Sequence, residues 1–345
     1  SSVFSELMKK WLTAQYEADN GDISPMIAFV NSSIGIPFEM TNDGVKEDDL
    51  AERGEDYAEN TVPRGGLILT MGVDVQHDRL AVIIRAWGRG EESWLVWWGE
   101  IHGNTVDVKS DVWRKLAEMI FQTVYKHETG AGMKIAAVSI DSSDGNTSDA
   151  VYHFVRGCRG VKAVNVMAVK GSTNPDKEIF SRARAIDLKH KNTKADKFGV
   201  QVYSVGVSRA KDLLIDEHAR INLEGSGAGR MHFYKDVRAD YCGQLLSEVK
   251  VPSRMNKHKK VWQKKVGVRN EALDCEVYAL HAARSVGTHT MSAAKWALYE
   301  NALLQSELFA EPKPVEQVQE KTKADSGSGF AATRRRKGSN FVTNY

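Results

Sequence analysis

Cysteine is scarce in this chain: Cys158, Cys242 and Cys275 are the only three, far apart and without paired spacing. An odd, scattered set excludes a disulfide framework, a zinc ribbon and a Cys-x-x-Cys redox motif, and fits reduced thiols in an intracellular protein. Long hydrophobic runs are also missing. No stretch approaches the roughly 20 apolar residues a membrane span needs, and no leader-like segment opens the chain, so no membrane partner is expected. Charge of one sign is lacking too: 47 Lys and Arg against 45 Asp and Glu leave a net charge of only +2. Any affinity for a polyanion must therefore come from local basic stretches and not from the overall field. A Gly-x-x-x-x-Gly-Lys-Ser/Thr phosphate loop is absent as well, which argues against nucleotide hydrolysis by this segment.

What is present is an ordinary core-forming composition, 42% apolar over 345 residues, enough for one large domain with appendages or two modest ones. Against that background three carboxylates are out of place. Asp74 ends the run Leu67-Ile-Leu-Thr-Met-Gly-Val-Asp, Asp141 ends Ile135-Ala-Ala-Val-Ser-Ile-Asp, and Asp274 lies inside Asn270-Glu-Ala-Leu-Asp-Cys-Glu-Val-Tyr-Ala-Leu. An ionised carboxylate in apolar surroundings is costly unless a cation shares the site. Two strands each ending in Asp, with a later acidic helix, can gather hard oxygen ligands around divalent cations and point to phosphodiester chemistry.

Periodicity orders the rest. A helix is expected over about residues 4–16, then an apolar segment broken by Gly and Pro over 27–38 and a polar, acidic linker over 41–60. Strands follow at 66–74, 80–88 and 93–102, joined by tight turns as an antiparallel meander. A helix over 108–127, a strand over 134–141, a helix over 147–156 and a strand over 163–169 form a parallel β-α-β arm. Further on, a strand at 200–205, helices at 208–219 and 240–249, a short strand at 231–234 and a basic hairpin or loop at 254–265 precede helices at 271–285 and 293–308. Meander plus arm, with helices on both faces, is the ribonuclease-H-like mixed α/β layout. Its first strand lies beside its fourth, so Asp74 and Asp141 meet at one rim, and the late helix can bring Glu271 and Asp274 there on a shared i, i+3 face. Glu271 sits where an acid complements the helix dipole, so Asp274, farther in, is the stronger candidate.

Other residues are weighed against that rim. Lys170, ending the strand beside that of Asp141, is placed to neutralise charge on a scissile phosphate. His77 follows Asp74 closely, and His281 extends the Asp274 face, though a lone helical His is more often a packing residue. Phosphate contacts are sought in Lys189-His-Lys-Asn-Thr-Lys (Lys189, Lys191, Lys194) and in the stretch from Arg254 to Lys265 (Lys257, Lys259, Lys260, Lys264, Lys265), with Arg269 beyond it.

An ordered series of short motifs carries a resemblance. It comprises Gly72-Val-Asp-Val-Gln with Asp78-Arg79, Trp87-Gly-Arg-Gly-Glu-Glu-Ser-Trp, Ile140-Asp-Ser-Ser and Val169-Lys-Gly. Gly206-Val-Ser-Arg-Ala-Lys, Met231-His-Phe and Arg269-Asn-Glu-Ala-Leu-Asp-Cys-Glu-Val-Tyr-Ala complete it. Together they resemble the nuclease half of lambda-type phage terminase large subunits, over roughly residues 25–285. The resemblance implies an endonuclease that cuts concatemeric double-stranded viral DNA during packaging, with two Mg²⁺ or Mn²⁺ ions. Asp74 would bridge them, Asp141 would hold one, and Asp274, Glu271 or both the other.

By the same resemblance residues 1–60 are expected to be a connector from a preceding ATPase domain, 61–288 the nuclease domain, 289–310 a C-terminal helix and 311–345 a disordered tail. The implied partners are DNA, a small terminase subunit that chooses the cut site, and the procapsid portal, which the C-terminal tail would reach. The expected location is the host cytoplasm, outside the mature virion. A junction resolvase or transposase would use similar carboxylates, and a non-catalytic module that docks on the portal and tethers DNA is the alternative of another class.

Overall fold

A computed structural model describes residues 3–19, 24–36, 45–181, 199–253 and 259–309. In chain order these form helices α1 (Val3–Asp19), α2 (Ser24–Phe29) and α3 (Glu47–Ala51), then strands β1 (Thr61–Val62), β2 (Ile68–Val75), β3 (Arg79–Trp87) and β4 (Ser93–His102). Helix α4 (Asp111–Phe121) leads to β5 (Tyr125–His127), β6 (Gly132–Met133) and β7 (Ile135–Asp141); α5 (Ser148–Cys158) leads to β8 (Asn165–Gly171). Then come β9 (Val202–Val205), α6 (Val207–Ile215), β10 (Met231–His232), α7 (Asp240–Leu245), the hairpin β11 (Glu248–Pro252) and β12 (Lys260–Lys264), α8 (Glu271–Ser285) and α9 (Ala293–Phe309). Among the described residues no helix is long and apolar enough to cross a membrane.

Seven strands make the central sheet in the order β10-β4-β3-β2-β7-β8-β9. β2, β3 and β4 pair antiparallel, whereas β2-β7, β7-β8 and β8-β9 are parallel. The first strand of the meander thus lies beside the first strand of the parallel arm, and the fold is ribonuclease-H-like. The central strands β2 and β3 bury both faces. On β2, Leu69, Met71, Val73 and Val75 enter the core shared with Leu116 and Ile120 of α4 and Val151 and Val155 of α5. The alternate residues Thr70, Gly72 and Asp74 therefore turn to the other face, where α8 lies.

Helix α8 sits unusually close to that face because small residues line the contact. A side chain at Gly72 would place its Cβ 2.0 Å from the Cys275 carbonyl oxygen and 2.6 Å from the Ala279 nitrogen. Gly72 is thus required by backbone approach, not by a turn. Thr70 Oγ1 donates to the Ala279 carbonyl at 2.9 Å and Cys275 Sγ to that of Ala81 at 3.2 Å. From Glu271 to Ala283 every position of α8 is buried except Asp274, which faces the rim.

Several expected boundaries move. The helix read to residue 127 stops at Phe121, because Tyr125–His127 pairs with Thr61–Val62 in a small second sheet. The helix read to residue 249 stops at Leu245, and Glu248–Pro252 becomes the first arm of the hairpin. From residue 45 the acidic stretch read as a linker is docked: Leu50 is 1% exposed, and Glu55 bonds through its backbone to Phe233 and Lys235.

Candidate metal centre

Val73 of β2 is in register with Ile140 of β7, so Asp74 and Asp141 are the next residues along adjacent parallel strands. Both side chains project towards α8, and the residues are only 6% and 7% exposed. Asn270 precedes α8, and Asp274 in its first turn closes the group. Each carboxylate rests on neutral donors. Gln76 Nε2 donates to Asp74 Oδ2 at 2.6 Å, Ser143 Oγ to Asp141 Oδ1 at 2.7 Å, and Asn270 Nδ2 to Asp274 Oδ2 at 2.8 Å. The Tyr278 hydroxyl also donates to Asp141.

Burial pushes the Asp74 carboxyl well above the usual carboxylate range, and the negative charges of Asp274 and Asp141 push it further. Burial raises Asp141 despite its hydrogen bonds. Asp274 is pushed up to about 6 by burial, with Lys211 opposing the rise and Glu248 and Asp141 adding to it. Three carboxylates thus share one rim, and the Lys211 ammonium, 2.7 Å from Glu248 Oε1, lies 3.5 Å from Asp274 Oδ1. Such a hard, anionic oxygen set suits Mg²⁺ or Mn²⁺, whose charge would relieve the repulsion. Among the described residues no three His, Cys, Asp or Glu side chains converge on one point, as each acid is turned onto its own donor.

Glu271 departs from expectation. Its oxygens accept from Arg79 Nη2 at 2.5 Å and Nε at 3.1 Å, and from Arg269 Nη2 at 2.5 Å and Nε at 3.0 Å. Although burial opposes it, these two guanidinium groups hold the carboxyl below its usual range. Glu271 is therefore committed to an ion-pair cluster, and the helix ligand favoured by the geometry is Asp274. Arg269 is correspondingly engaged with Glu271 and Glu100, not turned out towards a phosphate.

Lys170 is corrected by strand alternation. Val169, in register with Asp141, points into the α8-side core with Met167, so Lys170 leaves by the opposite face. It shares the rim with the carboxylates but not their side of the sheet. His77 Nε2 lies 2.6 Å from Asp144 Oδ2, an exposed link between two rim loops. His281 is fully buried, with Nδ1 2.8 Å from Ser139 Oγ and the rings of Phe180 and Tyr203 edge-on; burial pushes its pKa down to about 3, leaving a neutral packing residue.

Lys264 in β12 donates to Asn270 Oδ1 at 2.9 Å, which ties the basic hairpin to the start of α8. Lys259 and Lys260 are exposed. Lys257, Lys189, Lys191, Lys194 and the basic run Arg334-Arg-Arg-Lys lie outside the described residues.

The residues that sequence reasoning missed are Gln76, Lys211, Glu248 and Tyr278. Lys211 carried a signal, since it falls beside Ala210 and before Leu214 and Ile215 on the buried side of a short helix.

The family model described as terminase large subunit gpA, endonuclease domain, matches residues 2–296. The terminase large subunit of Escherichia phage lambda is 30% identical over 310 residues, 87% of this chain and 43% of the lambda protein. That of Enterobacteria phage P21 is 27% identical over 303 residues, 85% of this chain and 42% of its own. The chain therefore spans less than half the length of these curated relatives. Among solved structures, a Fowlpox virus resolvase in complex with Holliday junction DNA is 12% identical, with a TM-score of 0.22 over 32% of this chain and 63% of that one.

Proposed function

The chain belongs to the terminase large subunit gpA endonuclease-domain family, and from that premise we propose that it is a divalent-metal-dependent endonuclease cutting concatemeric double-stranded viral DNA during packaging. The observation that carries the reading is the placement of Asp74, Asp141 and Asp274 at one sheet rim, the first two buried and the third partly buried, where Asp74 and Asp274 each feel the negative charge of Asp141. Two Mg²⁺ or Mn²⁺ ions, when bound, would supply Lewis acidity to the attacking water and the leaving 3′ oxygen. Asp74, whose carboxyl feels the charge of both Asp274 and Asp141, would be shared by the ions, and Asp141 and Asp274 would complete their ligands. Ser143 and Tyr278 orient Asp141, while Gln76 and Asn270 orient the other two.

The small terminase subunit is the proposed source of site choice, the portal the proposed docking partner of the C-terminal residues, and the host cytoplasm the proposed location. ATP turnover is no part of the proposed activity.

Incubation with linear, supercoiled and branched DNA tests the reading. Cleavage of linear and supercoiled DNA is expected with Mg²⁺ or Mn²⁺ and none with Ca²⁺, whose larger, looser coordination shell positions the nucleophile poorly. Undiminished cutting in excess chelator would defeat it, and strong preference for branched DNA would favour a resolvase instead.

The hairpin supplies a second prediction. Replacing Lys259, Lys260, Lys264 and Lys265 together by Ala should weaken binding to all DNA sequences alike. The salt dependence should flatten by about one unit of slope per lost phosphate contact. A salt titration of duplex binding checks this; an unchanged slope would mean that the hairpin does not touch the backbone.

A further inference from the structure

Lys211 stands in the middle of α6 with its side chain only 7% exposed. Its ammonium lies 2.7 Å from Glu248 Oε1 at the start of β11 and 3.5 Å from Asp274 Oδ1 in α8. Asn270 makes a second bridge between the same two acids, with Nδ2 3.1 Å from Glu248 Oε1 and 2.8 Å from Asp274 Oδ2. The ammonium is thus bonded to Glu248 and within ion-pair range of Asp274. Three elements distant in sequence converge to make this arrangement, and no local requirement of a helix or hairpin calls for a buried lysine there.

We propose that Lys211 is the resident cation of the metal centre. It is a positioning residue that compensates Asp274 while no metal is bound, and Glu248 is the anchor that keeps the ammonium from following Asp274 towards an incoming ion. The proposal rests on the reading of the three aspartates as a metal centre. Its physical content is competition: an ammonium and a divalent cation seek the same carboxylate and repel each other. Lys211 near Asp274 therefore lowers metal affinity, and Glu248, by drawing the ammonium to itself, restores part of it.

The two partners of one ion pair should consequently have opposite effects. Lys211→Met removes the competitor and is expected to raise Mn²⁺ affinity about tenfold, whereas Glu248→Gln leaves the ammonium to Asp274 and should lower it about tenfold. A merely structural pair would behave differently, because breaking it from either side would loosen the site and weaken binding alike.

The test is Mn²⁺ binding to the full chain without DNA, followed by electron paramagnetic resonance, beside thermal melting with and without Mn²⁺. Lys211→Met should melt below the wild type without metal and gain more from saturating Mn²⁺. Lys211→Arg, which keeps the charge, should bind no tighter than the wild type. Should Lys211→Met not fold, Lys211→Gln serves in its place, and Glu248→Gln gives the independent second sign. Equal or weaker Mn²⁺ binding in the Lys211 variant, or unchanged or tighter binding in Glu248→Gln, overturns the inference and leaves the metal centre standing. A wild-type chain that binds no Mn²⁺ overturns the metal-centre reading itself.

Discussion

Asp74→Asn is expected to abolish DNA cleavage, by about three orders of magnitude or more, while raising the melting temperature of the metal-free protein near neutral pH. The two effects have one cause. Burial, then the charges of Asp274 and Asp141, raise the Asp74 carboxyl well above its ordinary value. A group whose native pKa lies above its unfolded one adds stability below the unfolded value, about 3.9 for Asp, and loses that contribution as pH rises through the native value. Near pH 7 the raised pKa of Asp74 therefore counts against the fold, and the isosteric amide removes that cost together with a ligand.

The wild-type protein without metal should for the same reason gain stability on going from about pH 7 to about pH 5, and the Asn variant should gain less. Plasmid cleavage in Mn²⁺ and melting curves in chelator at both pH values check the pair. Full nuclease activity in the variant removes Asp74 from the site; a lower metal-free melting temperature removes the electrostatic account. Asp141→Asn should act in the same directions, since burial raises its carboxyl too.

The rim itself was legible because it rests on short-range patterns. The apolar runs of Ile68–Val75 and Ile135–Asp141, with Asp74 next to last in one and Asp141 last in the other, mark where the strands stop, and tight turns fix the meander. Strand order then follows from the connection rules, and Asp74 meets Asp141 without any long-range guess. Lys170 was misplaced although alternation was available there also: Met167 and Val169 had first to be assigned to the α8 face. Sequence ranked Asp274 above Glu271 only through the helix dipole and could not show what engages Glu271. Its Arg79 partner is 192 positions away, and the i, i+3 spacing places both acids on one face without saying which meets a guanidinium. Lys211 and Glu248 belong to the same class, brought to Asp274 by packing of α6 and the hairpin against α8. The helix ends drawn too far at Phe121 and Leu245 failed because strand pairing overrode a continuing apolar pattern.

A third acid of α8 had no reading at all from the sequence, and it carries the other large effect. Glu276 and Arg85 are both fully buried, joined by Nε to Oε2 at 2.7 Å and Nη2 to Oε1 at 2.6 Å. Tyr241 donates its hydroxyl to Glu276 Oε1 at 2.6 Å, and Arg85 Nη1 reaches Ser93 Oγ at 3.2 Å. Burial works against the Arg85 charge, but Glu276 and Tyr241 outweigh it and hold the guanidinium above its usual range.

Glu276→Ala strands that cation in the core and is expected to cost about 3–5 kcal/mol in urea unfolding. Glu276→Gln should cost less, because an acceptor remains. Replacing both partners, Arg85→Met with Glu276→Leu, should recover most of the loss, since the pair contributes little net stability over apolar groups of similar volume. A loss below about 1 kcal/mol in Glu276→Ala would show that water or a shift of Tyr241 satisfies the guanidinium. The double variant also decides what the pair is for. Mn²⁺ affinity kept in a stable double variant makes the pair a device for docking α8 on β3. Affinity lost while stability is recovered means that the fixed geometry of the pair sets the distance of Asp274 from Asp74.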